Sequence, residues 1–443
     1  MKVSEALESA RETKIYEARP GALSLVPEIL RRDFPGEAAV LVADDNTYAA
    51  AGERLRSEIE RAGVALSRVI RYPSTPVLHA TYELVERLRE ELRGAPGVPV
   101  AVGGGTINDI VKRASWELGR KYLCVATAAS VDGYTSFGAA IVKDGFKQTL
   151  ECDAPYASIG DTNVLTHAPV AMNAAGYGDL VAKIFGGADW IVADELAISP
   201  VHPLAWRMVQ EELRSWVSKP DGIPHADPAA IGVLFSGLAV TGFAMQAIRD
   251  SRPASGGEHL LSHVWEMEGL EHEGTIVSHG FKVAIGSLGS CALYELFLEL
   301  DIEKLDLDAC VAAWPSWDAR ERSIRSRVGS TPYVEQMVAQ SKKKYVDAAT
   351  LRRRLHLLRE RWEPLTSRLR SQLFSYRETK ELFRRAGCPV RPEEVGLTRD
   401  HAVATFDLAQ MMRERYTLLD AAVELGLLEE WKSRIRDSDS YWR

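Results

Sequence analysis

Over the first 160 positions the apolar residues come in short, unbroken runs, each ending in polar or glycine-rich sequence. Ala38–Ala43 (AAVLVA) runs into Asp44, Asp45 and Asn46. An uninterrupted Val/Leu-rich run of this length predicts a strand covered on both faces. A helix is expected from Ala49 to Ala62, a strand at Val69–Tyr72 and a charged amphipathic helix at His79–Arg93. Val98–Val102 stops at Gly103-Gly104-Gly105-Thr106, a helix follows to Leu118, and Tyr122–Ala126 is a further strand. Phe137–Ala157, with the turn Lys143-Asp144-Gly145, reads as a hairpin. Strand, loop and helix alternating at this spacing predict a doubly wound α/β domain.

From about Asn163 the pattern changes to helical apolar spacing, at Ala188–Leu196, Ala205–Val217, Pro228–Ile248 and Ser278–Leu300. Leu351–Leu428 is charged, helix-forming sequence broken at Gly387–Pro392. With 443 residues the chain exceeds what one hydrophobic core usually holds. The expected division is an α/β dinucleotide-binding domain over 1–163 and an all-α metal- and substrate-binding domain over 164–443. A cleft between two domains is the natural place for a site.

Composition narrows the class. Hydrophobic content of 46% and charged content of 26% are those of an ordinary soluble globular protein. The net charge of −8 predicts neither nucleic acid nor an anionic membrane surface as partner. The five cysteines are scattered and contain no CxxC, which fits a reducing cytoplasm and no thiolate metal site. The first residues carry no apolar signal-peptide core, and no apolar run of about 18 residues is apparent.

Two places carry candidate chemistry. VPVAVGGGTINDIVK (Val98–Lys112) is a strand, three glycines and a helix start, an arrangement that suits a pyrophosphate but also serves as a plain tight turn. It matches neither GxGxxG nor the P-loop spacing. The polar ends Asp44 and Asn46, and Thr127–Ser130, favour a ligand there, because open α/β sheets bind ligands outside these strand ends. The second place is three clusters, GYGDLVAK (Gly176–Lys183), GEHLLSHVWE (Gly257–Glu266) and SHGFK (Ser278–Lys282). Four of the ten histidines lie between His259 and His279. His259 and His263 are one helical turn apart, and a carboxylate with two imidazoles is a common three-ligand set for a divalent ion. Hydrogen-bonded structural histidines are the alternative; the spacing is not HExxH, and composition does not say which Asp completes the set.

The segments GGGTINDIVK, ATAASVDGYTSFGAAIVKDGFK, AAGYGDLVAK, GEHLLSHVWE and SHGFKVAIG occur in one order that resembles the iron-containing alcohol dehydrogenase and dehydroquinate synthase superfamily. The resemblance runs from about Ala38 to Gly286 and is strongest to its bacterial-type sn-glycerol-1-phosphate dehydrogenases. It implies a Rossmann-like nucleotide-binding domain followed by an all-α, dehydroquinate synthase-like metal domain. It assigns Asp179, His259 and His279 to the metal (zinc, nickel or iron), and Asp132, Asp179 and His263 to the substrate. Asp44, Asn46, Gly103, Gly104, Gly105, Thr106, Asp109, Thr127, Ser130 and Ser136 would meet NAD(H) or NADP(H). The implied activity is reversible hydride transfer to a phosphorylated ketone, dihydroxyacetone phosphate, in a homo-oligomer.

In that chemistry His263 and Asp132 are the catalytic residues, His263 moving the proton and Asp132 holding a substrate hydroxyl. Lys183 and Lys282 are candidates for the substrate phosphate, with structural ion pairs as the equal alternative. An acid after the first strand leans toward NAD, since it disfavours a 2′-phosphate beside it. The rivals are a sugar-phosphate cyclase of the dehydroquinate synthase kind and a dehydrogenase of a non-phosphorylated polyol such as glycerol. The acidic segment MEGLEHEG, between His263 and His279, is longer than in archaeal relatives, and its His272 is expected in a solvated loop.

Overall fold

The computed structural model describes residues 1–442. Its strands are β1 (Ile15–Arg19), β2 (Ala39–Asp44), β3 (Leu66–Tyr72), β4 (Val98–Gly103), β5 (Leu123–Ala126), β6 (Ala139–Lys143), β7 (Phe146–Leu150), β8 (Ala157–Asp161), β9 (Glu271–His272) and β10 (Thr275–Ile276). Six of them form one parallel sheet in the order β1-β8-β5-β4-β2-β3. β6 and β7 form the expected hairpin. All six residues of β4, and all but Asp44 of β2, are buried, as strands covered on both faces must be. β1 and β8 are additions to the strands the sequence predicts. β1 (IYEAR) is a half-polar edge strand, and neither it nor β8 (ASIGD) offers an apolar run long enough to read.

From β2 the chain moves outward to β3 and then returns to pair β4 with the other side of β2. That reversal is a topological switch point, and it places the residues after β2 and β4 side by side.

The helices used below are α1 (Tyr82–Arg93), α2 (Gly105–Glu117), α3 (Val170–Glu195), α4 (Pro203–Trp216), α5 (Pro228–Ile248), α6 (Gly257–Met267), α7 (His279–Leu298), α8 (Ala348–Glu360), α9 (Arg399–Met412) and α10 (Leu418–Glu424). α3 is far longer than the expected Ala188–Leu196, because Gly176, Gly178, Gly186 and Gly187 interrupt its pattern. Each glycine costs a helix about 1 kcal/mol of propensity, but residues 173–193 are buried throughout, and packing decides. α5 and α7 are long and apolar enough to cross a membrane by length and composition, although neither is an unbroken apolar run. Burial of 72% and 83% of their most apolar stretches makes them core helices instead. MEGLEHEG is not an open loop: its β9 pairs antiparallel with β10, which follows the segment directly, and a side chain at Gly396 would touch Glu271 and His272.

The chain forms two compact units. One holds residues 1–143, 147–180 and 207–251, with the whole six-stranded sheet; the other holds residues 144–146, 181–206 and Arg252 onward, and is helical.

Candidate metal centre and nucleotide loop

α6 carries His259 and His263 one turn apart, and Ser278 caps the start of α7, where His279 stands. The three rings cluster, with centroids 5.4 Å (His259–His279), 5.8 Å (His263–His279) and 6.2 Å (His259–His263) apart. Each ring is held through Nδ1 by a carboxylate. Glu258 Oε1 lies 2.7 Å from His259, Glu266 Oε2 lies 2.9 Å from His263, and Glu266 Oε1 lies 2.8 Å from His279. An ionised carboxylate only accepts, so Nδ1 carries the hydrogen and Nε2 of each neutral ring keeps its lone pair.

Glu258 and Glu266 have no role in the sequence reading. The i,i+3 spacing of His263 and Glu266 on one helix was a usable signal. For Glu258, the immediate neighbour of His259, and for the reach of Glu266 to His279, spacing offers none.

The N-terminus of α6 is anchored from behind. Asp189 Oδ2 accepts from the Gly257 N–H at 2.7 Å, while Oδ1 accepts from Tyr294 Oη at 2.6 Å and the Leu418 N–H at 2.8 Å. Burial first, and then the charge of Glu258, push the Asp189 carboxyl up to about 6 in spite of those donors.

Asp179 is fully buried on α3, and its Oδ2 accepts the backbone N–H of Asp132 at 2.9 Å. Asp179, His259 and His279 can each offer one ligand atom to a metal ion. A carboxylate and two oriented neutral imidazoles fit a divalent ion that keeps positions open, and they do not choose among zinc, nickel and iron. His263, Glu266 and His279 form a second close group, which the two Glu266 hydrogen bonds account for. Lys183 is buried one turn after Asp179; Lys282 Nζ stands 3.9 Å from Glu266 Oε1, as the ion-pair alternative expects.

The segment Ser130–Gly138, which carries Asp132, is pinned by buried side chains. Lys112, wholly buried on α2, donates to the carbonyls of Gly133 (2.8 Å), Ser136 (2.9 Å) and Gly138 (3.0 Å). Asn108 Nδ2 adds a second donor to Gly133 at 2.9 Å, and Gln246 Nε2 holds the Thr135 carbonyl at 2.5 Å. Ser136 Oγ lies 3.4 Å from Lys112 Nζ, and Asp109 Oδ1 lies 3.7 Å from it. Burial raises the Asp109 carboxyl above its usual range, against the pull of Lys112 and Lys147. Ser130 Oγ pairs with Tyr134 Oη at 2.9 Å, and Thr127 is 5% exposed.

At the switch point α2 begins after Gly104, and no side chain caps its first N–H groups. A Cβ on Gly103 would stand 2.7 Å from Ile107, and one on Gly105 2.9 Å from Val131, so the loop approaches this closely only as glycine. Thr106 sits in the first turn. Uncapped N–H groups and the helix dipole make a seat for a pyrophosphate. Across from it Asp44 Oδ1 accepts from the Thr47 N–H at 2.8 Å, capping the helix that follows β2, and the Asn46 N–H donates to Ser74 Oγ at 2.9 Å.

The family model for iron-containing alcohol dehydrogenases matches residues 17–169. A glycerol-1-phosphate dehydrogenase [NAD(P)+] of Bacillus velezensis is 40% identical over 251 residues, 55% of this chain and 62% of that enzyme, so this match spans less than two thirds of its length. The one from Geobacillus stearothermophilus is 35% identical over 306 residues, 68% of this chain and 76% of the enzyme. A solved maleylacetate reductase from Agrobacterium tumefaciens superposes with a TM-score of 0.60 over 98% of both chains at 15% identity, which speaks to the fold alone.

Proposed function

We propose that this chain, which belongs to the glycerol-1-phosphate dehydrogenases of the iron-containing alcohol dehydrogenase family, reduces dihydroxyacetone phosphate to sn-glycerol 1-phosphate with a nicotinamide cofactor. The observation that carries the reading is a set of one carboxylate and two imidazoles able to serve as ligands, Asp179, His259 and His279, with both rings already oriented by carboxylates. These three residues would hold a divalent ion. When bound, that ion supplies Lewis-acid polarisation of a carbonyl, and the nicotinamide supplies the hydride.

The chain's own residues do the rest. Glu258 and Glu266 fix the ligand rings. His263, as an imidazolium stabilised by Glu266, hands its Nε2 proton to the developing alkoxide and keeps the Nδ1 proton; in the reverse direction Nε2 takes the proton back. Asp132 accepts a substrate hydroxyl, at the end of a backbone turn held by Lys112. The glycine loop and α2 N-terminus bind the cofactor pyrophosphate, with Thr127, Ser130 and Asn46 beside it. Asp44 at the end of β2 favours NADH over NADPH, because a carboxylate repels a 2′-phosphate. The five free cysteines suit a reducing cytoplasm, and the working form is a homo-oligomer.

The test is oxidation of NADH and of NADPH with dihydroxyacetone phosphate, after stripping metal and restoring zinc, nickel or iron singly. Metal-dependent turnover to the sn-1 product, with the lower Michaelis constant for NADH, is expected. Phosphate release from a sugar-acid phosphate with no reduction of the ketone would transfer the chain to the cyclase branch.

A further inference from the structure

We propose that Glu266 is a positioning residue that sets the tautomers of the ligand His279 and the proton carrier His263 at the same time, tying metal affinity and proton delivery to one carboxylate. The roles given to the two histidines rest on the proposed function; the geometry of the carboxylate does not.

Both oxygens of Glu266 are used, one for each ring: Oε1 at 2.8 Å from His279 Nδ1 and Oε2 at 2.9 Å from His263 Nδ1. The two rings are nearly parallel, 20° apart in plane and 5.8 Å between centroids, so they face one carboxylate as a pair. The Glu266 side chain is only 9% exposed, and Lys282 Nζ at 3.9 Å supports its charge. A histidine has one hydrogen to place when neutral. A carboxylate on Nδ1 puts it there and leaves Nε2 open, as a ligand atom in His279 and as a proton acceptor in His263. Glu258 does the same for His259 alone, so Glu266 differs in serving two roles.

The arrangement makes Gln a non-conservative replacement. An amide has one accepting oxygen and one donating nitrogen, so in Glu266→Gln only one ring keeps its Nδ1–H. The other ring faces an N–H, accepts at Nδ1, and must carry its hydrogen on Nε2. Glu266→Ala instead releases both rings.

Three measurements test this. In the metal-free protein, long-range 1H–15N correlation spectra of labelled histidine should show Nδ1–H for both His263 and His279, and a shift of one of them to Nε2–H in Glu266→Gln. Cobalt(II) titration, read by its visible absorption, should show roughly 10- to 100-fold weaker binding in Glu266→Ala, the usual loss when a ligand's outer partner is removed. At saturating metal the same variant should still turn over at least about tenfold more slowly, because proton transfer by a positioned group contributes about 10²–10⁴-fold. Nε2–H in the wild-type rings overturns the proposal, as does a Glu266→Ala protein in which only one of the two quantities moves. Wild-type protein that binds cobalt and shows both Nδ1–H rings, yet reduces no dihydroxyacetone phosphate, overturns the proposed substrate while the tautomer assignment stands.

Discussion

A methyl group on Gly176 would lie 1.8 Å from the carbonyl oxygen of Ala129 and 2.8 Å from its carbon. Both atoms are backbone, so neither can swing aside as a side chain would, and either α3 or the loop after β5 must move. Gly176→Ala is expected to destabilise the protein by about 1–3 kcal/mol, the range for overpacking a close contact. Turnover should fall as well, since Ser130 and Asp132 follow in the displaced strand of backbone. A wild-type melting temperature would show that the approach is not that close. The histidines give a sharper division of labour. His259→Ala should lose metal, measured as bound ion per chain, whereas His263→Ala should keep the metal and lose about 10²-fold or more in kcat. Equal metal loss in the two variants would remove the distinction between ligand and proton carrier. At this scale the four histidines between 259 and 279 are legible because histidine is rare in the chain, with 10 among 443 residues. Glu258 and Glu266 are not, because 62 acidic residues leave no contrast and the Glu266–His279 contact spans 13 positions across a hairpin.

Among the elements, α2 works at its N-terminus and at its buried middle, and sequence pattern exposes only the first. Its glycine start is readable as a loop that admits a phosphate; its buried lysine is not, because a helical lysine is ordinarily solvated. Lys112 faces inward to gather three carbonyls of the 133–138 turn, which the hydrogen-bond geometry alone reveals. Lys112→Met keeps the length and removes the donor, leaving the Ser136 and Gly138 carbonyls short of a partner while Gly133 keeps Asn108. The expected cost is about 2 kcal/mol or more, at about 1–3 kcal/mol for each unsatisfied buried group. Because the turn carries Asp132, the Michaelis constant for the ketone should rise in protein that remains folded, with bound metal unchanged. A less stable variant with unaltered kinetics would make Lys112 purely architectural. Other elements show what pattern can and cannot fix. α5 spans the expected Pro228–Ile248, helped by Asp227 as cap and proline in the first turn. α3 is shortened in the reading by glycines whose value lies in tertiary contact.

Across the molecule as a whole, the net charge of −8 hides how some charges are spent. In the helical unit Glu424 of α10 is 5% exposed, contacts Arg354 of α8, and accepts from Tyr416 Oη at 2.7 Å. Burial is the larger influence and raises its carboxyl to about 7, against the pull of Arg354 and the Tyr416 hydrogen bond. The sign of the consequence follows from linkage. Below the ordinary carboxyl range, both the folded and the unfolded chain hold this proton. As pH rises toward 7 the unfolded chain loses it first, so unfolding releases a proton and stability falls with pH. The contribution is therefore complete below about pH 4.5 and gone above about pH 7, and a rise of this size is worth at most about 3 kcal/mol. Urea unfolding at pH 5 and pH 8 should show the wild type losing more stability over this interval than Glu424→Gln, by an amount of that order. Equal losses would mean that Arg354 outweighs burial and Glu424 is already ionised in the fold, which would make the pair a conventional buried salt bridge. In that case Glu424→Gln should also be strongly destabilised at both pH values, since the Arg354 charge would be left without its partner.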